Sequence, residues 1–162
     1  MAAGAALGGV ALALYQRSAA REWEALSGAR LTDLQGKQRT LEEWSGKLVL
    51  VNFWATWCAP CLEEIPMLIE LRRAYGDKGL EVVGIAIDQE AKVREMAAKL
   101  SVEYPILLAD SHGLQLLREL GNSSGGLPYT LILDRKQQAS GRKLGALKRP
   151  EAEAMVTRAL AG

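Results

Sequence analysis

The chain has 162 residues, 49% hydrophobic and 24% charged, which bounds it to one compact domain with short appendages and excludes a multidomain machine. Twenty Lys and Arg against nineteen Asp and Glu leave a net charge of +1, without the basic field that grips phosphates, so no nucleic-acid partner is expected. Sixteen Gly and five Pro are scattered without period, and the apolar fraction is that of a chain able to bury a core.

From Met1 to Gln16 no side chain is charged, and the run ends at Tyr15-Gln16-Arg17. Sixteen helical residues reach about 24 Å, short of the roughly 30 Å hydrocarbon core, so a signal-peptide h-region fits the length better than a full membrane span. Ser18 and Ala20 supply the small residues of a cleavage site that would release a chain beginning near Arg21. The basic segment that should precede such a run is missing. A buried amphipathic helix ranks third, because the segment has no polar face. Residues 1–20 are therefore expected as a signal peptide or N-terminal membrane anchor. Residues 21–27 are expected as a connector or the domain's first turn, and residues 28–162 as the domain itself.

Leu31 to Leu41, with Asp33, Gly36 and Thr40, suits a small hairpin at a sheet edge, and Glu42 to Trp44 a helical turn. Leu48 to Trp54 is nearly continuous in apolar residues, the mark of a central strand covered on both faces. Ala59 to Tyr75 has mostly helical spacing and closes on Gly76 and Gly79. Leu80 to Ile87 is a second buried strand, and Val93, Met96, Ala97 and Leu100 mark a second helix. Tyr104 to Leu108 is a third strand. Leu114, Leu117 and Leu120 mark a third helix, and Gly121 to Gly126 a flexible loop. Thr130 to Leu133 and a weaker edge strand near Ala139 to Leu144 precede a last helix begun by Pro150. This alternation predicts an α/β sandwich whose mixed central sheet contains parallel pairs and carries helices on both faces.

Two cysteines, Cys58 and Cys61, cannot form a framework of structural disulfides, so their role is local chemistry. The single histidine, His112, lies in a turn-like stretch and receives no catalytic role. In Trp57-Cys58-Ala59-Pro60-Cys61 two thiols sit where a buried strand hands over to a helix, a spacing that can close and reopen a small disulfide ring. The helix dipole and unpaired backbone N–H groups favour the thiolate of the first cysteine, so Cys58 is the expected nucleophile. Cys61, one turn on, is suited to resolve a mixed disulfide. Pro60 fits the first helical turn, where its missing N–H costs nothing. Half a zinc site is the rival reading. It falls away because only His112 remains as a further Cys or His ligand, and no metal or other cofactor is expected.

The run Val51-Asn52-Phe53-Trp54-Ala55-Thr56-Trp57-Cys58-Ala59-Pro60-Cys61 resembles the active-site strand and loop of the thioredoxin superfamily. Leu62-Glu63-Glu64-Ile65-Pro66 and Gly126-Leu127-Pro128-Tyr129-Thr130 narrow the likeness to the TlpA/ResA-like branch of exported or membrane-tethered thiol-disulfide oxidoreductases. The resemblance covers most of Gly28 to Leu160. It implies that Asp88 to Asp110 is the branch's helix–strand insertion, that Pro128 is a cis-proline beside the cysteines, and that the Leu127 backbone offers a strand edge to an extended substrate. Glu64 stands where that branch carries an acid that exchanges protons with the resolving thiol, while Glu63 reads as surface. Asn52 replaces the buried aspartate of thioredoxin and cannot titrate, which shifts the proton role toward Glu64. Trp57 and Pro60 belong on the substrate-facing surface, Trp54 and Trp44 in the core, and Pro66 inside the first helix as a kink.

The expected function is reduction of protein disulfides in the bacterial periplasm or at the outer face of the cytoplasmic membrane. Cytochrome c maturation is one use the resemblance suggests. The implied partners are disulfide-containing proteins and an upstream thiol donor in the membrane, with the chain itself anchored through its N-terminal segment if that is uncleaved. A disulfide-donating oxidant and a redox-inert peptide-binding module are the alternatives.

Overall fold

In a computed structural model the structure describes residues 3–109 and 112–162; in the first helix the side chains of residues 9, 10, 13, 14, 17 and 20 onward are included. Met1, Ala2 and the Asp110-Ser111 part of the expected turn before His112 lie outside the described residues.

Seven strands form one sheet in the order β2-β1-β5-β4-β3-β6-β7. They are β1 Leu31–Asp33, β2 Gln38–Arg39, β3 Leu48–Trp54, β4 Leu80–Ala86, β5 Ile106–Leu108, β6 Tyr129–Leu133 and β7 Ala139–Leu144. The pairs β3–β4 and β4–β5 are parallel, and the rest are antiparallel. Helices α1 Ala3–Ser27, α2 Ala59–Tyr75, α3 Glu90–Lys99, α4 Gly113–Glu119 and α5 Arg149–Ala161 cover the two faces. All seven residues of β3 are buried, and their alternation splits the core in two. Leu48, Leu50 and Trp54 face α2, α3 and α5, whereas Val49, Val51 and Phe53 face α1 and α4. The fold is thioredoxin-like, a three-layer α/β sandwich in which α3 and β5 form the helix–strand insertion.

Several elements differ in detail from the sequence expectation. Residues 21–27 are the last turns of α1, packed onto the domain by the fully buried Leu26 and by a 2.8 Å ion pair from the buried Glu22 to Arg142 on β7. Among the described residues no helix is long and apolar enough to cross a membrane. In α4 the buried positions are Gly113, Leu116 and Leu117, with Leu120 following, a run of i, i+3, i+4, i+7 that turns Leu114 outward to 49% exposure. The third strand starts at Ile106, two residues later than its apolar pattern suggested.

The loop 121–126, expected to be flexible, is braced by its own polar groups. Asn122, 2% exposed, donates from Nδ2 to the Gly126 carbonyl at 2.8 Å, and Ser124 Oγ donates to Asn122 Oδ1 at 2.9 Å. The weak edge strand β7 is paired with β6 along its length, with one irregularity between Ile132 and Leu133.

Candidate active site

The turn that leaves β3 places the two cysteines at the head of α2. Cys58 is the helix N-cap, with extended backbone; its N–H donates to Ala55 O at 3.2 Å and its carbonyl accepts from Leu62 N–H at 3.2 Å. Cys58 and Cys61 are joined by a disulfide, with Cα atoms 5.3 Å apart. Cys58 keeps 5% of its surface and Cys61 none, so only the Cys58 side of the bond meets the outside. Pro60 is exposed in the first turn, as is Glu63 in the second, and Trp57 just before the pair is 70% exposed. Pro66 lies within α2, which continues past it to Tyr75.

A carboxylate from the next strand holds this turn. Asp88, just beyond β4, accepts from the Thr56 hydroxyl, from Thr56 N–H at 3.3 Å and from Gln89 N–H at 2.7 Å. Burial pushes its pKa up, and these hydrogen bonds outweigh burial, leaving it below the ordinary 3.8. The sequence reading missed Asp88, although an Asp between a buried strand and a helix start is itself a capping signal.

The peptide bond Leu127–Pro128 is cis. Pairing of Tyr129 with Phe53 puts the buried Pro128 level with Trp54, at the end of β3 from which the cysteine turn departs. Among the described residues the half-buried Leu127 has no hydrogen-bond partner for its backbone N–H or C=O. Leu114 and Leu144 flank the same loop: they lie near Gly125 and Gly126 respectively.

Behind the disulfide a polar row crosses the α2 face of the sheet. Gly84, Asn52 and Thr130 are register partners on β4, β3 and β6. Glu64, 4% exposed and three residues beyond Cys61, sits over this row. Its Oε1 accepts from Asn52 Nδ2 at 2.7 Å and its Oε2 from Leu147 N–H at 2.8 Å. Asn52 Nδ2 also donates to Thr130 Oγ1 at 3.2 Å. Burial raises the Glu64 pKa above the ordinary 4.5, and the bonds from Leu147 and Asn52 pull against that rise. The Leu147 contact joins residues 83 apart through a main-chain N–H, and no sequence signal could have found it. His112 is exposed at the start of α4. Among the described residues no three His, Cys, Asp or Glu gather as a metal site.

The redoxin family model matches residues 20–160 of the chain. The chain belongs to the redoxin family. It is 30% identical to thiol-disulfide oxidoreductase ResA of Bacillus cereus over 124 residues, spanning 76% of this chain and 69% of that one. To the thioredoxin-like protein YneN of Bacillus subtilis it is 34% identical over 149 residues, 86% of this chain and 84% of the relative. Among solved structures, a thiol:disulfide interchange protein of the thioredoxin family from Chlorobium tepidum TLS superposes with a TM-score of 0.69 at 28% identity, covering 82% of this chain and 94% of the other. This redoxin is therefore an enzyme, a thiol-disulfide oxidoreductase of the ResA type with Cys58 and Cys61 as its cysteine pair.

Proposed function

We propose that this oxidoreductase reduces protein disulfides outside the cytoplasm, in the periplasm or at the outer face of the cytoplasmic membrane. The observation that carries the reading is a disulfide at the head of α2 with one reachable sulfur and a buried carboxyl, its pKa raised by burial, one turn below it. In the reduced enzyme the Cys58 thiolate attacks a substrate disulfide, a mixed disulfide forms and one substrate thiolate leaves and takes up a proton. Cys61 gives its proton to Glu64 and attacks the Cys58 sulfur. The second substrate thiolate leaves and takes that proton from Glu64, two electrons have moved to the substrate, and the enzyme is left with the Cys58–Cys61 bond. An upstream thiol donor, in this reading a membrane protein, reverses that last step.

The surroundings of Cys58 favour a polypeptide substrate over a small disulfide. Trp57 at 70%, Leu114 at 49% and Leu144 at 52% are the exposed large hydrophobic side chains of the domain beyond α1 among the described residues. They accompany the free Leu127 backbone and Pro128, a combination suited to adding an extended strand with apolar side chains. Residues 1–20, all but the last of them ahead of the family match, serve in this reading as the export or anchor segment, and reduction of apocytochrome disulfides before haem attachment is the use proposed. Direction is tested by equilibrating the Cys58–Cys61 couple in glutathione buffers. A potential near thioredoxin's, about −270 mV, is expected for a reductant, and one near about −120 mV identifies a disulfide donor instead.

A further inference from the structure

Among the described residues four buried side-chain atoms lack a hydrogen-bond partner, and three of them belong to one neighbourhood: Asn52 Oδ1, Trp54 Nε1 and the Tyr104 hydroxyl. Gly84 brings them together. A Cβ built at Gly84 would lie 3.0 Å from Tyr104 Cε2 and 3.1 Å from Trp54 Nε1, so the missing side chain is the space into which the tyrosine ring and the indole edge fit. Asn52 is the register partner of Gly84 on the adjoining strand. The three orphaned groups comprise a donor, an acceptor and a hydroxyl that is both, the set that one buried water satisfies.

We propose that Tyr104, carried in by the helix–strand insertion, is a positioning residue for Glu64: through one bridging water, shared with Trp54 Nε1, its hydroxyl donates toward Asn52 Oδ1 and fixes the Asn52 amide with Nδ2 aimed at the Glu64 carboxylate. An amide has two orientations, and the reversed one would set Oδ1 against Glu64 Oε1, acceptor against acceptor. A donor on Oδ1 removes that choice and polarises the N–H that Glu64 receives. The charged groups nearby are few. Glu64 is the charge that acts on Tyr104, whose own pKa is raised by burial and by that carboxylate. Glu103 is turned to Arg73 at 2.9 Å, Arg72 is held by Glu81, and Cys58 and Cys61 are joined in the disulfide.

This inference rests on the proposed proton role of Glu64, and the test separates the two. Tyr104→Phe keeps the ring and its packing and deletes only the hydroxyl. The Glu64 carboxyl is titrated by 13C NMR in the oxidised full chain, and the pH profile of insulin-disulfide reduction is recorded alongside. Loss of the donor raises the Glu64 midpoint by about half a pH unit or more, the equivalent of one modest hydrogen bond. An unchanged midpoint overturns the inference, as does a fall in rate that is equal at every pH. A midpoint that moves while the activity profile stays put upholds Tyr104 and removes Glu64 from the proton transfer.

Discussion

The two faces of the central sheet are built from alternate residues of the same strands, yet their contents differ. Toward α1 and α4, β3 presents Val49, Val51 and Phe53, β4 presents Val83 and Ile85, and β6 presents Tyr129, Leu131 and Leu133, an almost wholly apolar layer in which the Tyr129 hydroxyl donates to the Leu120 carbonyl. Toward α2 the corresponding row is Gly84, Asn52 and Thr130, interrupting an apolar core with Glu64, Tyr104 and unpaired polar atoms. Buried polar groups with open valences cost stability. Among the described residues three of the four unpaired atoms lie behind the disulfide, the fourth being Gln137 Oε1 beside Trp44 on the other side, and this concentration marks the α2 face as the one shaped by chemistry and the other as the one that holds the fold.

Breaking the apolar face should have the largest effect on folding and the least on chemistry. Phe53→Ala removes a fully buried ring and should cost about 3–5 kcal/mol in urea unfolding, while the fraction still folded keeps its pH profile for disulfide exchange. Loss of that profile together with stability would mean that the two faces are not separable. On the α2 side, the reduced enzyme should alkylate at Cys58 at least about tenfold faster than at Cys61 with iodoacetamide near neutral pH, since only Cys58 combines surface with the helix N-terminus. Peptide mapping that finds equal rates would contradict it.

Two carboxylates sharpen the comparison with opposite signs. Asp88, held below 3.8 by its hydrogen bonds, contributes stability that is present above that value and lost as pH falls through its folded pKa. Asp88→Asn should therefore cost about 1 kcal/mol at neutral pH and nothing in strong acid, read from urea midpoints across pH. Glu64, raised above 4.5 by burial, keeps a proton that the unfolded chain has released, so it erodes stability as pH rises above 4.5 through its folded pKa. Glu64→Gln should flatten that slope without unfolding the domain, and an unaltered slope would return Glu64 to an ordinary structural charge.

The sequence made the fold legible because period and burial agree in β3, β4 and α2, where continuous apolar runs and helical spacing have one reading each. It found the element but not its buried stripe where spacing alone was ambiguous. Leu114, Leu117 and Leu120 share an i, i+3, i+6 series, but the buried stripe of α4 advances through Leu116, and Leu114 ends outside. The glycine- and serine-rich composition of 121–126 suggested freedom, whereas Asn122 ties that loop from within. At the candidate site the cysteines, Glu64, Asn52 and Pro128 were readable from one contiguous motif and one resemblance. Leu147 and Tyr104 were not, because the first acts through its main chain and the second enters from an insertion, meeting Glu64 only once the sheet has formed.

The most direct measurement is trapping. With Cys61→Ser, Cys58 has no resolving partner, and incubation of the reduced variant with a disulfide-bonded polypeptide should yield, by mass spectrometry, a covalent adduct at Cys58 that dithiothreitol releases. If no adduct accumulates under conditions where the unmodified enzyme turns over, the Cys58–Cys61 pair is not where exchange takes place.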